Sequence, residues 1–467
     1  MVQERVWFPS PKSDLASEKL SQAETIGQSL ASVAPTATPA MVIPLVLAAC
    51  GQSAWLAYLL ALLGIACLTN QINFFAVRSA SPGSYYSYVH GALGSWPGLI
   101  VGWSLFLAYI GTAASVTGGF TSYAFSLIIG NTQPPVFAAI LLTTLSLGIA
   151  GWFAYRDVQL SARLMLWLEA ASVLLILLLI LWPGHPRSLH WDKAQFLLKN
   201  ANISSLRNGL VLAIFSFSGF ESAAALGSEA ALPRKTIPRA IRLTALLSGA
   251  FFIFATYAEN IGLGDHAAQL ASGGAPLELL ATLRTLSFLS PLLAIGAVVS
   301  FFACSLACIT AAARTLYALS RDGHLFRYFG NAHQENHTPH SAVLLSTALA
   351  LLATLPLIAA GTAPFDLYGW LGTIATYGFI VVYLFVTAGA ILERQRNHLL
   401  TLPSLLIAIA ALFVLTLAAW SSIDLASSPA RWFPTTFLFL LLLGLAITNF
   451  VHRRHAHSKS QNLAAAD

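Results

Sequence analysis

Apolar runs of roughly 20 residues recur from one end of this chain to the other, and each is long enough to cross a bilayer as a helix. Twelve can be marked, at about 24–50, 54–77, 96–125, 135–155, 164–182, within 210–242, then 240–262, 286–319, 341–360, 365–392, 402–420 and 432–450. Only 9% of the residues are charged and 57% are hydrophobic, whereas an ordinary soluble domain carries about 25% charged residues. A soluble globular fold is therefore excluded, and the 467 residues read as one all-α polytopic membrane protein.

The formal charge of +6 does not point to nucleic acid, because the basic residues sit between the apolar runs. Eighteen of the 24 Lys and Arg fall on one side, with the two tails and the turns after spans 2, 4, 6, 8 and 10; Arg78, Arg242, Arg314 and Arg394 are among them. The other six include Arg207, Arg284 and Arg431. The positive-inside rule then places both termini in the cytoplasm of a bacterial-type inner membrane, which requires an even number of spans. Twelve satisfies it. The N-terminus has no short apolar core with a small-residue cleavage site, so no signal peptide is expected.

Cys50, Cys67, Cys304 and Cys308 all lie inside apolar runs and are expected to be buried thiols, not a disulfide framework. Cys304 and Cys308 share a helix face, but no histidine or further cysteine supports a metal there. With no HExxH, no paired metal-binding acids and no nucleophile motif, neither an enzyme nor a cofactor is expected.

Two spans carry defects. Span 1 is interrupted at Ala34-Pro35-Thr36-Ala37-Thr38-Pro39, where two prolines four apart remove helix hydrogen bonds and disfavour helix in the residue before each. Span 6 loses helical quality at Ser216-Phe217-Ser218-Gly219-Phe220-Glu221 and leaves through a basic, proline-broken stretch with Pro233, Arg234, Lys235, Pro238, Arg239 and Arg242. Such defects cost several kcal/mol when they face lipid. They are kept where backbone lines a cavity. Spans 1 and 6 are five apart, so a second five-helix unit would enter the membrane from the opposite side. That predicts an inverted repeat with two half-helices in each broken span and a site between them. The alternative, that Pro35, Pro39 and Gly219 only kink packed helices, accounts for one break more readily than for two at corresponding positions. Half-helix N-termini suit a carboxylate, while half-helix C-termini and unwound carbonyls suit an ammonium. One site with both fits a zwitterion.

These residues carry a resemblance. The stretch IFSFSGFESAAALGSEAALPRKTIPRAI resembles the sixth-span signature of the amino acid–polyamine–organocation (APC) superfamily of permeases. SPGSYYSYVHGALGSWPGLIVGW is similar to the family's loop between spans 2 and 3, and AAARTLYALSRDG to the end of its span 8. The chain departs from the family in Ala37-Thr38-Pro39, where many members have a Gly-Ser/Ala-Gly run, in Thr310 for a span-8 asparagine, and in His324-Leu325-Phe326 for the usual Leu-Pro. The resemblance implies a LeuT-like 5+5 inverted-repeat fold with 12 transmembrane helices. It would comprise a cytoplasmic tail (1–22), a transport core (23–393, with repeats at about 23–182 and 205–393), two further helices (394–452) and a second tail (453–467).

It also implies roles. Pro35, Thr36, Ala37 and Thr38 would offer N–H groups and unwound backbone to a substrate carboxylate, and Ser216, Phe217, Ser218 and Gly219 would offer carbonyls to its amine. Phe215 stands where the family carries an aromatic gate, and Tyr109 would cap the pocket. Glu221 is either a protonatable carboxylate near the site or a structural acceptor for free N–H groups. Glu169, a lone acid in span 5, is a candidate for proton coupling; Arg163, six residues away, points to another face. Glu259, Asn260 and Asp265 are expected to be solvated or vestibule residues near the outer end of span 7, and Arg321 and Asp322 to fix the inner loop after span 8. The expected function is secondary active transport of an amino acid or related amine by alternating access. Its expected partners are a small-molecule substrate, protons (sodium less so) and the lipid bilayer, with no nucleic acid. An exchanger, or a sensor on the same fold without net transport, is the alternative.

Overall fold

Within a bilayer every backbone N–H and C=O must find its partner inside the protein, and this chain answers with helices. The computed structural model describes residues 13–130, 133–183, 189–197, 202–266, 275–424 and 429–464. The first interrupted segment consists of α1 (Gln22–Val33), a π-helical turn (Thr38–Val42) and α2 (Ile43–Cys50). There follow α3 (Ala54–Ala76), α4 (Ser84–Leu93), α5 (Ser95–Ile129), α6 (Val136–Arg156) and α7 (Val158–Leu181). After a short α8 (Lys193–Leu197) come α9 (Ile203–Phe215), a 3-10 turn (Ser222–Leu226), α10 (Pro233–Leu263) and α11 (Pro276–Leu283). The rest is α12 (Ser290–Arg321), α13 (His340–Ala359), α14 (Pro364–Arg396), α15 (Leu402–Asp424) and α16 (Phe433–Ala464). Among the described residues there is no strand, and ten stretches are long and apolar enough to cross a membrane; α9 is shorter, and α1 to α3 fall in one stretch.

The bundle is arranged around α5, α12 and α14. The apolar window of α5 is 83% buried and that of α15 only 22%, so the last two helices are peripheral. Close packing at the centre depends on small residues. A Cβ on Gly118 would lie 2.2 Å from the Pro364 carbonyl, and one on Gly378 2.6 Å from the Ser104 carbonyl. The outer surface reverses the pattern of a soluble protein: Phe137, Trp167 and Phe413 are 77%, 72% and 66% exposed, as lipid-facing residues should be.

Local chemistry sets the ends of the helices. Ser21 and Glu24 form a reciprocal capping box at α1, and Asp157 accepts from the Gln159 and Leu160 N–H groups at α7. Arg163 pairs with Glu24 at 2.5 Å, which leaves it turned away from Glu169. Pro233 opens α10, a position where its missing N–H costs nothing. The basic stretch read as the exit of span 6 is thus the opening of the next helix, its first three turns.

Three further expectations change, and the part of the N-terminal tail that is described packs in part against the bundle; residues 1–12 lie outside the described residues. Leu15 and Leu20 are buried, Asp14 pairs with Arg321 at 2.8 Å, and Leu20 bridges to Ala230 through Leu20 N–H to Glu229 O and Ala231 N–H to Leu20 O. Arg314 is not a loop charge: its guanidinium meets the Glu229 carboxylate at 2.5 and 2.7 Å, with both side chains fully buried. Arg284 is also buried, donating to the Leu179 and Ile180 carbonyls left open at the end of α7. Glu259 is fully buried instead of solvated, because α11 packs over the end of α10; the side chain of Asp265 lies outside the described residues. Asp322 does fix the loop after α12, accepting from the Tyr86 hydroxyl at 2.6 Å.

Breaking a buried ion pair from one side leaves an uncompensated charge. Arg314→Met should therefore lower stability by about 3–5 kcal/mol, read as an earlier thermal midpoint in detergent, and adding Glu229→Leu should recover most of the loss. The turn after α12 adds a pH dependence. Burial, followed by the neighbouring His452 ring 2.9 Å away, pushes His324 from 6.5 down to about 4. The unfolded chain then binds this proton more readily, so stability is full above about pH 6.5 and falls as the pH drops toward 4. Thermal midpoints across that range should show a shallower acid limb for His324→Asn.

Candidate functional site

Both sequence breaks are real interruptions, and they face each other. α1 ends at Val33, Ala34 takes a left-handed conformation, and the chain re-enters helix through the π turn. α9 ends at Phe215, and turns carry the chain to Gly219, whose φ is +89°. The second part of this crossing is a 3-10 turn and not the α-helical half expected. A Cβ at Gly219 would sit 2.8 Å from Ser32 Cβ, so only glycine meets both the backbone conformation and the closeness of span 1.

The stretch after the second break is hydrogen-bonded to α1 just before the first break. Ser29 Oγ accepts from the Ala223 N–H at 2.8 Å, and Ser222 Oγ donates to the Gln28 carbonyl at 3.1 Å. α12 holds the same part of span 1: Gln28 Nε2 donates to the Ala307 carbonyl, and Cys304 Sγ to the Ser32 carbonyl. From α5, the Tyr123 hydroxyl donates to the Ala40 carbonyl at 3.0 Å, inside the π turn.

Pro35, Thr36, Ala37 and Thr38 are all buried at the span-1 break. The Ala37 N–H is engaged by the Ala34 carbonyl at 2.9 Å, while the Thr36 hydroxyl is buried with no partner among the described residues. In the second break the Ser216 hydroxyl lies 3.1 Å from Tyr58 Oη of α3. Phe217 turns its side chain away from span 1, edge-on to Phe252 of α10, and its carbonyl accepts from the Phe220 N–H. Ser218 is half-buried. Phe215 is half-buried, edge-on to Tyr368, and Gly372 leaves room for its ring. Tyr368 in turn meets Phe301, so the ring beside the break belongs to an aromatic row shared by three spans.

Glu221 is fully buried and bracketed by two hydroxyls. Tyr109 donates to Oε1 at 3.2 Å and Tyr383 to Oε2 at 2.6 Å. Tyr109 thus meets the acid itself, and backbone N–H groups of Gly219 and Glu221 are donors to the carboxylate beside the two tyrosines. Glu169 is also fully buried, on α7. The Ser300 hydroxyl is 2.8 and 2.9 Å from its two oxygens. The one Ser300 hydroxyl is thus shared between both oxygens of the acid. Ser300 is one turn from Cys304, which links Glu169 to the span-1 break through α12.

Sequence reading missed Tyr383, Ser300 and Tyr123. Each is an ordinary residue in an apolar span, and only the packing reveals its partner. Gly219→Ala should cost about 1–3 kcal/mol through the forced left-handed backbone alone, more with the Ser32 contact. A thermal midpoint that falls further for Gly219→Ala than for an alanine at Gly148, which faces open space, would verify it.

With this geometry in place, the known relatives are informative. The family model described as "Amino acid permease" matches residues 26–460. The low-affinity putrescine importer PlaP of Escherichia coli (strain K12) is 25% identical over 74% of this chain and 75% of its own. The branched-chain amino acid permease BcaP of Lactococcus lactis is 26% identical over 68% and 69%. A methylthioribose transporter of Bacillus subtilis is 24% identical over 72% and 73%. A match running nearly the full length of the chain, on a bundle of apolar helices, places this chain in the amino acid permease family of the APC superfamily.

Proposed function

We propose that this protein is a secondary active transporter that moves an amino acid or a related amine by alternating access, with protons as the coupling ion. The observation that carries the reading is the close approach of the two interrupted spans, Gly219 against Ser32. It brings unwound backbone from both into one buried region. The carboxylate end of the substrate would meet the break at Pro35, Thr36, Ala37 and Thr38, and the amine the carbonyls of Ser216, Phe217, Ser218 and Gly219. Because the Ala37 N–H is taken up by Ala34, binding there needs a local shift of the turn. Phe215 acts as the gate beside this region, and Tyr109 as part of its wall. The relatives that import putrescine and branched-chain amino acids support an amine-bearing substrate.

In this reading the chain crosses an inner membrane twelve times, α1 with α2 forming one crossing and α9 with the 3-10 turn another. Residues 23–182 and 205–393 form the two inverted repeats, 394–452 the added pair, and both tails face the cytoplasm. Glu169 carries the coupling proton, a role supported by its single hydroxyl partner and by the lack of any ion-pair partner among the described residues. Glu221 is the second proton-responsive acid, kept polar by its two tyrosines.

Reconstitution tests this directly. Proteoliposomes with an inside-alkaline pH gradient should accumulate labelled substrate, and counterflow should persist without the gradient. Glu169→Gln should keep counterflow but lose gradient-driven accumulation. Unchanged proton-driven uptake in that variant would remove Glu169 from the mechanism, and absence of counterflow for every amino compound would favour a sensor.

A further inference from the structure

Away from the central breaks, α3 and α10 separate near the basic end of the bundle and leave a cavity of about 310 Å³. Its two halves differ in chemistry. Toward mid-membrane the walls are Leu62, Ala66 and Leu246; toward the basic end they are Thr69, Asn70, Asn73 and Arg242. Exposed leucines flank it, Leu63 on α3 and Leu247 on α10 being 55% and 56% exposed, so the opening lies on the lipid-facing surface.

The polar half is built and incomplete. Thr69 is 5% exposed, yet its hydroxyl has no partner among the described residues. Asn73 Nδ2 donates to the Pro238 carbonyl at 3.3 Å and closes the floor. Asn70 Oδ1 accepts from Arg394 Nη2 at 3.1 Å; this orients the amide so that its NH2 remains to donate, with a second guanidinium behind it. Arg242 donates only its Nε, to the Pro238 carbonyl at 3.4 Å. Among the described residues it meets no carboxylate, and no acidic residue lines the cavity.

We propose that this cavity is a binding site for an anionic phospholipid, with the phosphodiester on Arg242, Asn70 and Thr69 and an acyl chain along Leu62, Ala66 and Leu246. A phosphate offers acceptors only, which is what these three donors lack. The apolar half selects a lipid over free phosphate. The absence of any acid, together with the exposed Lys235 and Arg239 on the first turns of α10, selects a net negative headgroup over a zwitterionic one. Basic pockets between helices near the membrane surface recognise such headgroups. The site stands apart from the transport reading, which fixes only which leaflet supplies the lipid.

Delipidated full-length protein in detergent should gain thermal stability on adding phosphatidylglycerol, because a ligand that binds only the folded state raises the midpoint. Phosphatidylcholine with the same chains, and inorganic phosphate, should give no comparable shift. Arg242→Gln should weaken the phosphatidylglycerol response about tenfold, as loss of one charge-assisted hydrogen bond does, and Leu246→Trp should abolish it by filling the apolar half. Arg239→Gln, outside the cavity, should leave it intact. Equal shifts with phosphatidylcholine, a full shift with phosphate alone, or an unchanged response in both Arg242→Gln and Leu246→Trp would overturn the assignment.

Discussion

A helix that comes apart inside a membrane exposes backbone groups with no water to receive them, and in this protein two such helices answer each other. The Ser29 hydroxyl takes the Ala223 N–H, the Ser222 hydroxyl reaches the Gln28 carbonyl, and Gly219 lets the two backbones close on Ser32. Each unsatisfied group in hydrocarbon costs several kcal/mol, so neither break is stable alone. The surrounding helices follow from that constraint. α12 and α5 are held against span 1 through Ala307, Cys304 and Tyr123, and Glu221 lies where α5 and α14 can reach it.

What the sequence could convey follows from where its signals are local. Proline spacing marks the first break at 34–39, and a glycine between serines beside a glutamate marks the second, because both act on their own backbone. Apolar length marks the spans for the same reason. Partnership is different. Tyr383 reaches Glu221 across 162 positions, and Ser300 reaches Glu169 across 131; nothing in the neighbouring residues distinguishes either from packing. The same limit explains the misplaced charges. Arg284, Arg314 and Glu259 stand near the ends of apolar runs, where a loop position is the simplest reading, yet tertiary cover buries all three. The stretch before α1 reads as tail because it is polar, but Leu15 and Leu20 find apolar cover under the bundle. The second part of span 6 looks helical in its alanines, yet contact with span 1 draws it into a 3-10 turn.

The buried acids differ in a way that bears on coupling. Glu229 is held by two guanidinium contacts from Arg314. Such a buried pair fixes geometry, since breaking it from one side leaves an uncompensated charge. Glu221 and Glu169 have hydroxyl partners instead. A hydroxyl can donate to a carboxylate or accept from a carboxyl, so either protonation state can be accommodated by rotating a hydrogen, without moving a helix. Glu221 has two such partners, one on each oxygen, with backbone N–H groups of Gly219 and Glu221 beside them, whereas Glu169 has the single Ser300 hydroxyl.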